Sequence, residues 1–269
     1  MAGTDTTSTS LAFFCWELTR RPDIMKKLQL EIDEVMPDTK TLPDITTLQD
    51  LPYLSAFIKE GERTAAISIL QPLHLSGLRM YTAAPSLLER VVPSPKNGEL
   101  FDLMGYSVPE GTVVGTQAWS MHRDANVFPS PDTFLPERWI VSTSTSHEDL
   151  GRMNASMMPF GTGSRVCGGQ NLALMMLRFA VASFVRNFDI SVPTDTTESS
   201  MNIRDSFVSQ DHRRLSSLMT CRLSFLQPWN ANFILPLGIR NFCPIVFVRA
   251  LFLFISYLRI IHRFVLLLS

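Results

Sequence analysis

The N-terminal part of the chain carries apolar residues at helical spacing. Residues 10–19 are apolar and aromatic, and Arg21-Pro22-Asp23 then begins a second helix with proline in its first turn. One face of that second helix is apolar and the rest is charged, which is typical of a half-buried helix. Its apolar positions are Ile24, Leu28, Ile32 and Val35. A further helix begins at Leu51, after a mostly polar connection over residues 37–47.

The middle of the chain favours short strands, and a long apolar helix follows later. Strands are predicted at three places, around residues 87–92, 106–108 and 113–116. Pro109-Glu110-Gly111 is predicted to be a hairpin turn between the last two. Residues 127–140 are rich in proline and are predicted to be irregular. From Leu174 onward the apolar spacing predicts a buried helix, so the pattern indicates a mostly helical protein with short strands.

Composition narrows the class of protein. The 269 residues are 45% hydrophobic and carry a formal net charge of −1, which suits one globular unit and gives no indication of nucleic-acid binding. The four cysteines are widely spaced and form no CxxC pair, so neither a zinc site nor a disulfide framework is predicted. Residues 1–10 are small and mostly polar, so we expect no signal peptide there.

The C-terminal stretch is apolar. Residues 242–258 carry one charge, Arg249, and apolar residues resume at 264–268. A spanning helix needs about 20 mostly apolar residues, and a central arginine costs roughly 3 kcal/mol on insertion scales. Two interpretations stay open: a membrane span around residues 242–258, or an apolar helix that lies on protein or at a bilayer interface.

One thiol stands near the end of a glycine-rich loop. Residues 160–169 read Phe-Gly-Thr-Gly-Ser-Arg-Val-Cys-Gly-Gly, which places the thiol at Cys167. Glycines adopt backbone conformations closed to other residues and let N–H groups approach a sulfur closely, as a rigidly held thiolate ligand requires. The alternative is a buried free cysteine in a glycine-rich turn.

This loop resembles the haem-binding signature of the haem-thiolate monooxygenases, the cytochromes P-450, and matches its fixed positions. The resemblance implies heme b with Cys167 as the axial thiolate ligand of the iron, in a loop completed by Gly169. It also implies that Phe160 covers the thiolate side and that Arg165 meets a haem propionate. Arg90 is a further candidate for a propionate partner.

The start of the chain carries a second resemblance. Ala2-Gly3-Thr4-Asp5-Thr6-Thr7 resembles the oxygen-activating segment of the family's long central helix. By that resemblance Thr6 would donate a proton and Asp5 would relay protons from solvent, which is general-acid chemistry. The alternative is a capping cluster of threonine and aspartate at a chain start, where such residues are common.

A third resemblance concerns a structural ion-pair network. Phe134-Leu135-Pro136-Glu137-Arg138-Trp139 resembles the segment in which an arginine, here Arg138, joins a Glu-x-x-Arg motif on a buried helix. That motif is present as Glu60 and Arg63, but the continuation expected of the family appears only at Leu78-Arg79-Met80-Tyr81. The alternative for Arg138 is a solvated surface ion pair.

Residues 62–77 therefore have the character of an insert. If they are removed, Glu60 regains an arginine three positions later, Arg79. The 16 residues correspond to 48 nucleotides in frame, and the codons at the two ends permit a GT donor and a CAG acceptor. We predict a translated intron, which makes Arg63 a fortuitous copy of the motif arginine. The alternative is a genuine surface loop that retains Arg63 in the network.

The resemblance implies a fold that is mainly α with small β-sheets, the C-terminal half of the cytochrome P-450 fold. The expected organisation is a truncated haem domain over residues 1–229, interrupted at 62–77, and an apolar tail over residues 230–269. Family members are nearly twice as long, and Met1 falls within their oxygen-activating helix. The chain is therefore expected to be a fragment that lacks most substrate-contacting segments.

Three functions stay open. The first is a monooxygenase of the endoplasmic reticulum membrane that takes electrons from NADPH through a reductase and inserts one oxygen atom of O2 into an apolar substrate. Residues 83–93 resemble filamentous-fungal members that tailor secondary metabolites such as terpenoids, alkaloids or polyketides. The second is an inactive remnant, because haem covered on one face only would lose apolar burial and leave its iron open to water. The third is a membrane-associated protein without enzymatic activity.

Overall fold

The structure is a computed structural model that describes residues 2–38, 43–60, 79–94, 100–191, 196–198, 201 and 222–225. For residues 2–5 and 222–225 it describes the backbone alone. The expected insert at 62–77, the candidate Arg63 and the expected tail at 230–269 lie outside this part of the chain.

Helices dominate the described residues, and short strands fill the middle of the chain. The helices are α1 Ala2–Arg20, α2 Pro22–Val35, α3 Ile45–Asp50, α4 Pro52–Glu60, α5 Ala118–Met121, α6 His147–Ala155 and α7 Gln170–Asn187. The strands are β1 Leu87–Val91, β2 Phe101–Leu103, β3 Tyr106–Val108, β4 Val113–Gln117, β5 Phe188–Ser191 and β6 Arg222–Phe225. The expected class, mainly α with small β-sheets, is confirmed.

The N-terminal helices pack around α7. On α2, Ile24, Leu28 and Ile32 are fully buried, as the apolar spacing predicts, and Pro22 occupies the first turn. Helices α1, α2, α3 and α4 all contact α7. The main core is formed by apolar side chains of these helices, among them Phe14, Leu28, Leu48, Phe57, Leu177 and Val181. Helix α7 is therefore the central buried element that the sequence predicts.

Helix α3 shortens the polar connection that the sequence predicts over residues 37–47. The Asp44 carboxylate caps this helix by accepting a hydrogen bond from the Thr46 N–H over 2.6 Å. Such a cap satisfies an N–H group that has no partner within the helix. Leu48 then enters the core, so one buried leucine and one cap are enough to order this short helix.

The strands pair differently from the prediction. β1 pairs antiparallel with β4, and β2 pairs antiparallel with β3 through a turn at Met104 and Gly105. Both turn residues have positive φ, 55° and 89°, which suits a tight two-residue hairpin. The predicted hairpin at Pro109-Glu110-Gly111 is wrong, because this turn leads from β3 into β4 while each strand bonds to a different partner.

A smaller core lies beneath the segment before the thiol loop. Its members are Ala56, Phe128, Trp139, Leu150, Met153 and Met157. The proline-rich stretch that was expected to be irregular contributes a short 3-10 helix, Pro136–Trp139, to this core. Helix α6, which the sequence analysis does not predict, begins with a capping box between Ser146 and Asp149. This second core fixes Arg138 and the approach to the thiol loop.

The β2–β3 hairpin carries apolar side chains in water. Exposed large apolar residues cluster there, namely Leu100, Phe101, Leu103, Met104 and Tyr106. Among the helices that the structure describes, none is both long and apolar enough to cross a bilayer. The span expected around residues 242–258 lies outside the described residues.

Candidate functional site

The thiol loop is closed by backbone hydrogen bonds. The Cys167 N–H donates to the Phe160 carbonyl over 2.9 Å, and the Gly161 N–H donates to the Met158 carbonyl over 3.0 Å. Gly161 and Gly163 have φ values of +73° and +67°, in the region that favours glycine. The glycines of the sequence motif thus allow a tight loop whose two ends meet at Phe160 and Cys167.

The cysteine of this loop is exposed to solvent. Cys167 is exposed, whereas Cys15 is buried, so the alternative of a buried thiol in a glycine-rich turn is wrong for Cys167. A Cβ atom at Gly169 would stand 4.0 Å from the Cys167 sulfur. Helix α7 begins at Gln170, and the N–H groups at a helix start stabilise nearby negative charge. An exposed cysteine in a closed loop is accessible to a metal.

Apolar and cationic side chains surround the loop. Phe160 is half-buried and packs against the main core, whereas Arg165 is exposed on the short turn Gly163–Arg165. Val166 and Leu172 are exposed apolar residues on either side of the sulfur in sequence. A thiolate donor, apolar surface and a free-facing guanidinium together fit haem, which has a central iron, an apolar macrocycle and two carboxylates.

Strand β1 lies beside the same loop. A Cβ atom at Gly161 would stand 4.0 Å from the Leu88 side chain of β1. Arg90 follows Leu88 by two residues, so the two side chains leave the same face of the strand. Arg90 is exposed, and its guanidinium donates to the neighbouring Glu89 carbonyl over 2.6 Å. The structure therefore brings the strand that carries Arg90 next to the thiol loop.

The segment that carries Asp5 and Thr6 belongs to α1. Thr6 is half-buried, and its carbonyl accepts a hydrogen bond from the Ser10 hydroxyl over 3.2 Å. Of Asp5 the structure describes only the backbone. Both residues lie within α1, Ala2–Arg20. Helix α1 contacts α7, the helix that follows Cys167.

Glu60, the last residue of α4, is the centre of a buried ion-pair cluster. Arg79 donates to the Glu60 carboxylate through Nε over 2.8 Å and through Nη2 over 2.6 Å. Arg138 donates to the same carboxylate through Nε over 2.7 Å. The Trp139 indole N–H and the Leu135 backbone N–H complete the coordination at 2.7 and 3.1 Å. The carboxylate thus accepts five hydrogen bonds, two of them from one guanidinium fork.

The two arginines of this cluster are nearly inaccessible to solvent. Arg79 is 0% exposed and Arg138 is 4% exposed, so the alternative of a surface ion pair is wrong for Arg138. Their remaining N–H groups donate to backbone carbonyls of the segment before α6, those of Pro129, Ser130, Pro131 and Thr133. Burial lowers the pKa of the Arg138 guanidinium, while the Glu60 charge opposes that effect. Carbonyl dipoles therefore supply the stabilisation that one carboxylate cannot give to two cations.

His122 is a buried residue that the sequence reasoning missed. It follows α5 and lies between the ion-pair cluster and the thiol loop, with hydrogen bonds to the Arg79 carbonyl at 3.1 Å and the Met158 N–H at 2.9 Å. Burial lowers its pKa from 6.5 to about 4, and the charges of Arg79 and Arg123 act in the same direction. A single histidine among polar residues carries no periodic signal, so only the folded structure identifies it.

Comparison with known proteins agrees with this arrangement. The sequence profile of the family described as Cytochrome P450 matches residues 1–75 and 77–215. The chain is 30% identical over 206 residues to a flavonoid 3',5'-hydroxylase of Crocosmia x crocosmiiflora, across 77% of this chain and 35% of that protein. It is 33% identical over 203 residues to cytochrome P450 71A8 of Mentha piperita, across 76% of this chain and 35% of that protein.

A third similar protein is a flavonoid 3'-monooxygenase of Arabidopsis thaliana, with 30% identity over 206 residues. That alignment covers 77% of this chain and 36% of the relative. The chain thus spans about a third of the length of the curated relatives it matches. The profile match covers most of the chain and includes the thiol loop, the ion-pair residues and α1. The chain belongs to the cytochrome P450 family.

Proposed function

We propose that this chain contributes the thiolate half of a haem site that inserts one oxygen atom of O2 into an apolar substrate. The family is one of haem-thiolate monooxygenases, and the chain is an enzyme by family. The observation that carries the proposal is an exposed cysteine, Cys167, in a closed glycine loop at the start of α7. Because the chain spans about a third of its relatives, its own activity is part of the proposal.

Each residue of the loop has a role in this proposal. Bound haem would supply the chemistry of O–O bond cleavage, with electrons from NADPH delivered by a reductase partner. Cys167 would hold the iron, Phe160 would cover the sulfur, and Gly169 would leave room beside it. Arg165 and Arg90 would bind the two propionates, which is supported by their exposure on neighbouring elements.

Proton delivery is assigned to α1. The Thr6 hydroxyl would donate a proton toward the reacting oxygen, and the Asp5 carboxyl would replace it from solvent. The contact between α1 and α7 supports this assignment, because it joins the element that carries Thr6 to the element that follows Cys167. Thr6→Ala and Asp5→Asn are expected to slow substrate oxidation while leaving the thiolate spectrum in place.

The first test is a reduced carbon-monoxide difference spectrum of the full chain supplied with haem. A thiolate-type Soret band is expected, and Cys167→Ser should abolish it because an alcohol does not replace the thiolate ligand. Cys15→Ser is the matched control, since Cys15 is also a cysteine outside any disulfide but lies in the core. A band that survives in Cys167→Ser, or no band in the unmodified chain, would contradict the assigned site.

The substrate class is a finer part of the proposal. We infer a secondary metabolite, because residues 83–93 resemble fungal tailoring enzymes and two of the relatives are named for flavonoids. The relatives named above are plant proteins, so the fungal origin rests on residues 83–93 alone. A panel of terpenoids, alkaloids, polyketides and flavonoids should be screened for substrate-induced shifts of the Soret band.

Location at the endoplasmic reticulum membrane is proposed from the family and is tested by cell fractionation.

A second candidate function is an inactive remnant of such an enzyme. The observation that favours it is the exposure of Cys167 together with Val166 and Leu172, which are 43% and 56% exposed. Haem seated on this surface by the described residues would keep one side in contact with water, which weakens both binding and control of the chemistry. A chain that binds haem without the thiolate band would support the remnant. A purely membrane-associated role rests on residues 242–258 alone.

The insert at residues 62–77 also remains a proposal. The support for it is that the arginine bound to Glu60 is Arg79, which lies three positions from Glu60 once those residues are removed. Sequencing of transcripts across the codons for residues 50–90 tests it directly. A shorter transcript as the main species is expected, whereas retention of the segment in the main transcript would contradict the proposal of an intron.

The division into residues 1–229 and 230–269 is tested by limited proteolysis.

A further inference from the structure

We propose that His122 is a positioning residue that, as a neutral ring, ties the buried Glu60–Arg79 pair to the Met158 peptide, which immediately precedes the thiol loop. Its role in the reaction rests on the proposed function, but the linkage itself is a property of the chain without haem. No catalytic step is assigned to His122, because its ring contacts backbone atoms of Arg79 and Met158.

The chemistry of its two partners fixes the proton on the ring. Nδ1 lies 3.1 Å from the Arg79 carbonyl oxygen, which can only accept, so Nδ1 carries the proton. Nε2 lies 2.9 Å from the Met158 backbone nitrogen, which can only donate, so Nε2 must be the acceptor. A second proton on the ring would place two N–H groups against each other. The geometry therefore requires the neutral ring in one tautomer.

The link continues from Met158 to the thiol. The Met158 carbonyl accepts from the Gly161 N–H over 3.0 Å, and the Phe160 carbonyl accepts from the Cys167 N–H over 2.9 Å. His122 thus holds the Met158 peptide, which precedes the thiol loop, and the loop in turn holds Cys167. The backbone carbonyl of His122 also accepts a hydrogen bond from the Arg79 guanidinium over 3.0 Å. His122, which is fully buried, thus connects the ion-pair cluster at Glu60 with the thiol loop.

The surroundings of the ring oppose its protonation. Arg79 and Arg123 are the charged groups that act on it, and both disfavour a second positive charge. Arg79 is already paired with Glu60, and Arg123 contacts Asp132 at 3.4 Å, so neither carboxylate offers a partner to the ring. Burial acts in the same direction and holds the pKa near 4. We infer that the linkage is intact at neutral pH and opens when acid protonates His122.

Three substitutions separate the two hydrogen bonds of the ring. In His122→Gln the side-chain oxygen replaces Nε2 as the acceptor for Met158, and in His122→Asn the amide nitrogen replaces Nδ1 as the donor to Arg79. His122→Phe removes both groups at similar volume. His147→Gln is the matched control, because His147 is an exposed histidine at the start of α6. Amide hydrogen exchange of Met158 and Gly161 in the full chain without haem is the primary measurement.

At pH 7 the His122→Gln chain should keep the protection of these amides, whereas the Asn and Phe chains should lose at least about tenfold, as expected for one lost hydrogen bond. Between pH 6 and pH 3.5 the unmodified chain should lose this protection relative to core amides of α7, and His122→Gln should not. Equal protection in the Gln and Asn chains would overturn the proposal. If the Phe chain does not fold, the comparison of Gln with Asn decides the matter.

A second measurement uses the haem-supplied chain. The fraction of reduced carbon-monoxide complex that shows the thiolate band should fall in the order unmodified chain, His122→Gln, His122→Asn. If the unmodified chain shows no such band, the proposed function fails while the exchange result still stands or falls by itself. If the band is present and is equal in all variants, the positioning role of His122 is overturned and the proposed function survives.

Discussion

Arg79 and His122 are hydrogen-bonded to each other in both directions. The Arg79 guanidinium donates to the His122 carbonyl over 3.0 Å, and the His122 ring donates to the Arg79 carbonyl over 3.1 Å. Both residues are fully buried. Arg123 adds a third bond of the same kind, from its guanidinium to the Met80 carbonyl over 3.0 Å. Residues 79–80 and 122–123 are thereby joined by hydrogen bonds between side chains and backbone carbonyls, without a β-ladder.

The first prediction concerns Arg79, whose guanidinium serves the Glu60 carboxylate and three backbone carbonyls. Arg79→Lys keeps the charge but supplies a single ammonium group that cannot reach all of them. We expect a loss of roughly 3 kcal/mol in the free energy of unfolding, measured with urea. Arg90→Lys, on an exposed strand, is the control and should change little. A loss below about 1 kcal/mol would mean that charge alone is sufficient.

The second prediction concerns Glu60. Glu60→Gln leaves Arg79 and Arg138 buried without an anion, and breaking a buried pair in this way costs about 3–5 kcal/mol. Urea unfolding of the Glu60→Gln chain should show this loss, while Glu148→Gln at the exposed start of α6 should not. Similar stability of the two variants would show that the backbone carbonyls alone neutralise the arginines.

The third prediction concerns stability and pH. The pKa of His122 is about 4 in the folded chain against 6.5 for the free side chain, so the unfolded chain binds the proton more tightly. Its contribution is therefore complete above pH 6.5 and is lost as the pH falls toward 4. The difference corresponds to roughly 3 kcal/mol. His122→Gln should flatten this part of the profile relative to His147→Gln, and two profiles of equal slope would contradict it.

The fourth prediction concerns the two thiols whose surroundings the structure describes. Cys167 is exposed and Cys15 is buried, so iodoacetamide should modify Cys167 at least about tenfold faster in the folded chain. Peptide mass spectrometry assigns each site and separates them from Cys221 and Cys243. Added haem should protect Cys167 if the sulfur is the iron ligand. Protection that is equal in the Arg165→Ala, Arg90→Ala chain would remove the propionate roles but keep the ligand.

The fifth prediction concerns removal of residues 62–77. Deletion places Arg79 three positions after Glu60 and shortens the connection between them, which should stabilise the fold by about 1–2 kcal/mol through loop entropy. Arg79→Lys should remain as damaging in the shortened chain as in the full one, because the same ion pair is present. A lower midpoint of thermal unfolding after deletion would show that the segment belongs to the fold.

The sequence predicts those parts of the fold that depend on local pattern. The buried face of α2 follows from helical spacing, and β3 has the predicted bounds, residues 106–108. The pairing of the strands does not follow, since the β2–β3 turn at Met104 and Gly105 lacks the usual asparagine or aspartate signal. Helix α6 is not predicted, because only two of its side chains, Leu150 and Met153, are buried; the capping box at Ser146 and Asp149 is a signal that the sequence does contain.

The candidate site divides in the same way. Cys167 and its glycines form a contiguous motif, so the sequence alone identifies the loop. The arginine bound to Glu60 is ambiguous in the sequence, where Arg63 and Arg79 both qualify, and the structure pairs Glu60 with Arg79. The sequence does not predict that Trp139 donates a hydrogen bond to the Glu60 carboxylate, or that His122 connects Arg79 with Met158. Both depend on contacts between residues far apart in the chain, which no local spacing reveals.

The five hydrogen bonds at Glu60 cannot all form until late in the synthesis of the protein. Arg138 and Trp139 follow Glu60 by 78 and 79 residues. A ribosome adds about 5–20 residues per second, so the carboxylate waits roughly 4–16 s after its own synthesis before these partners exist. During that interval α4 can pack on α2 and α3, which are already made, but its contacts with the 3-10 helix Pro136–Trp139 and with α7 cannot yet form. The nascent chain therefore passes through a stage in which the Glu60 carboxylate exists without Arg138 and Trp139, and water must solvate its charge until they are made.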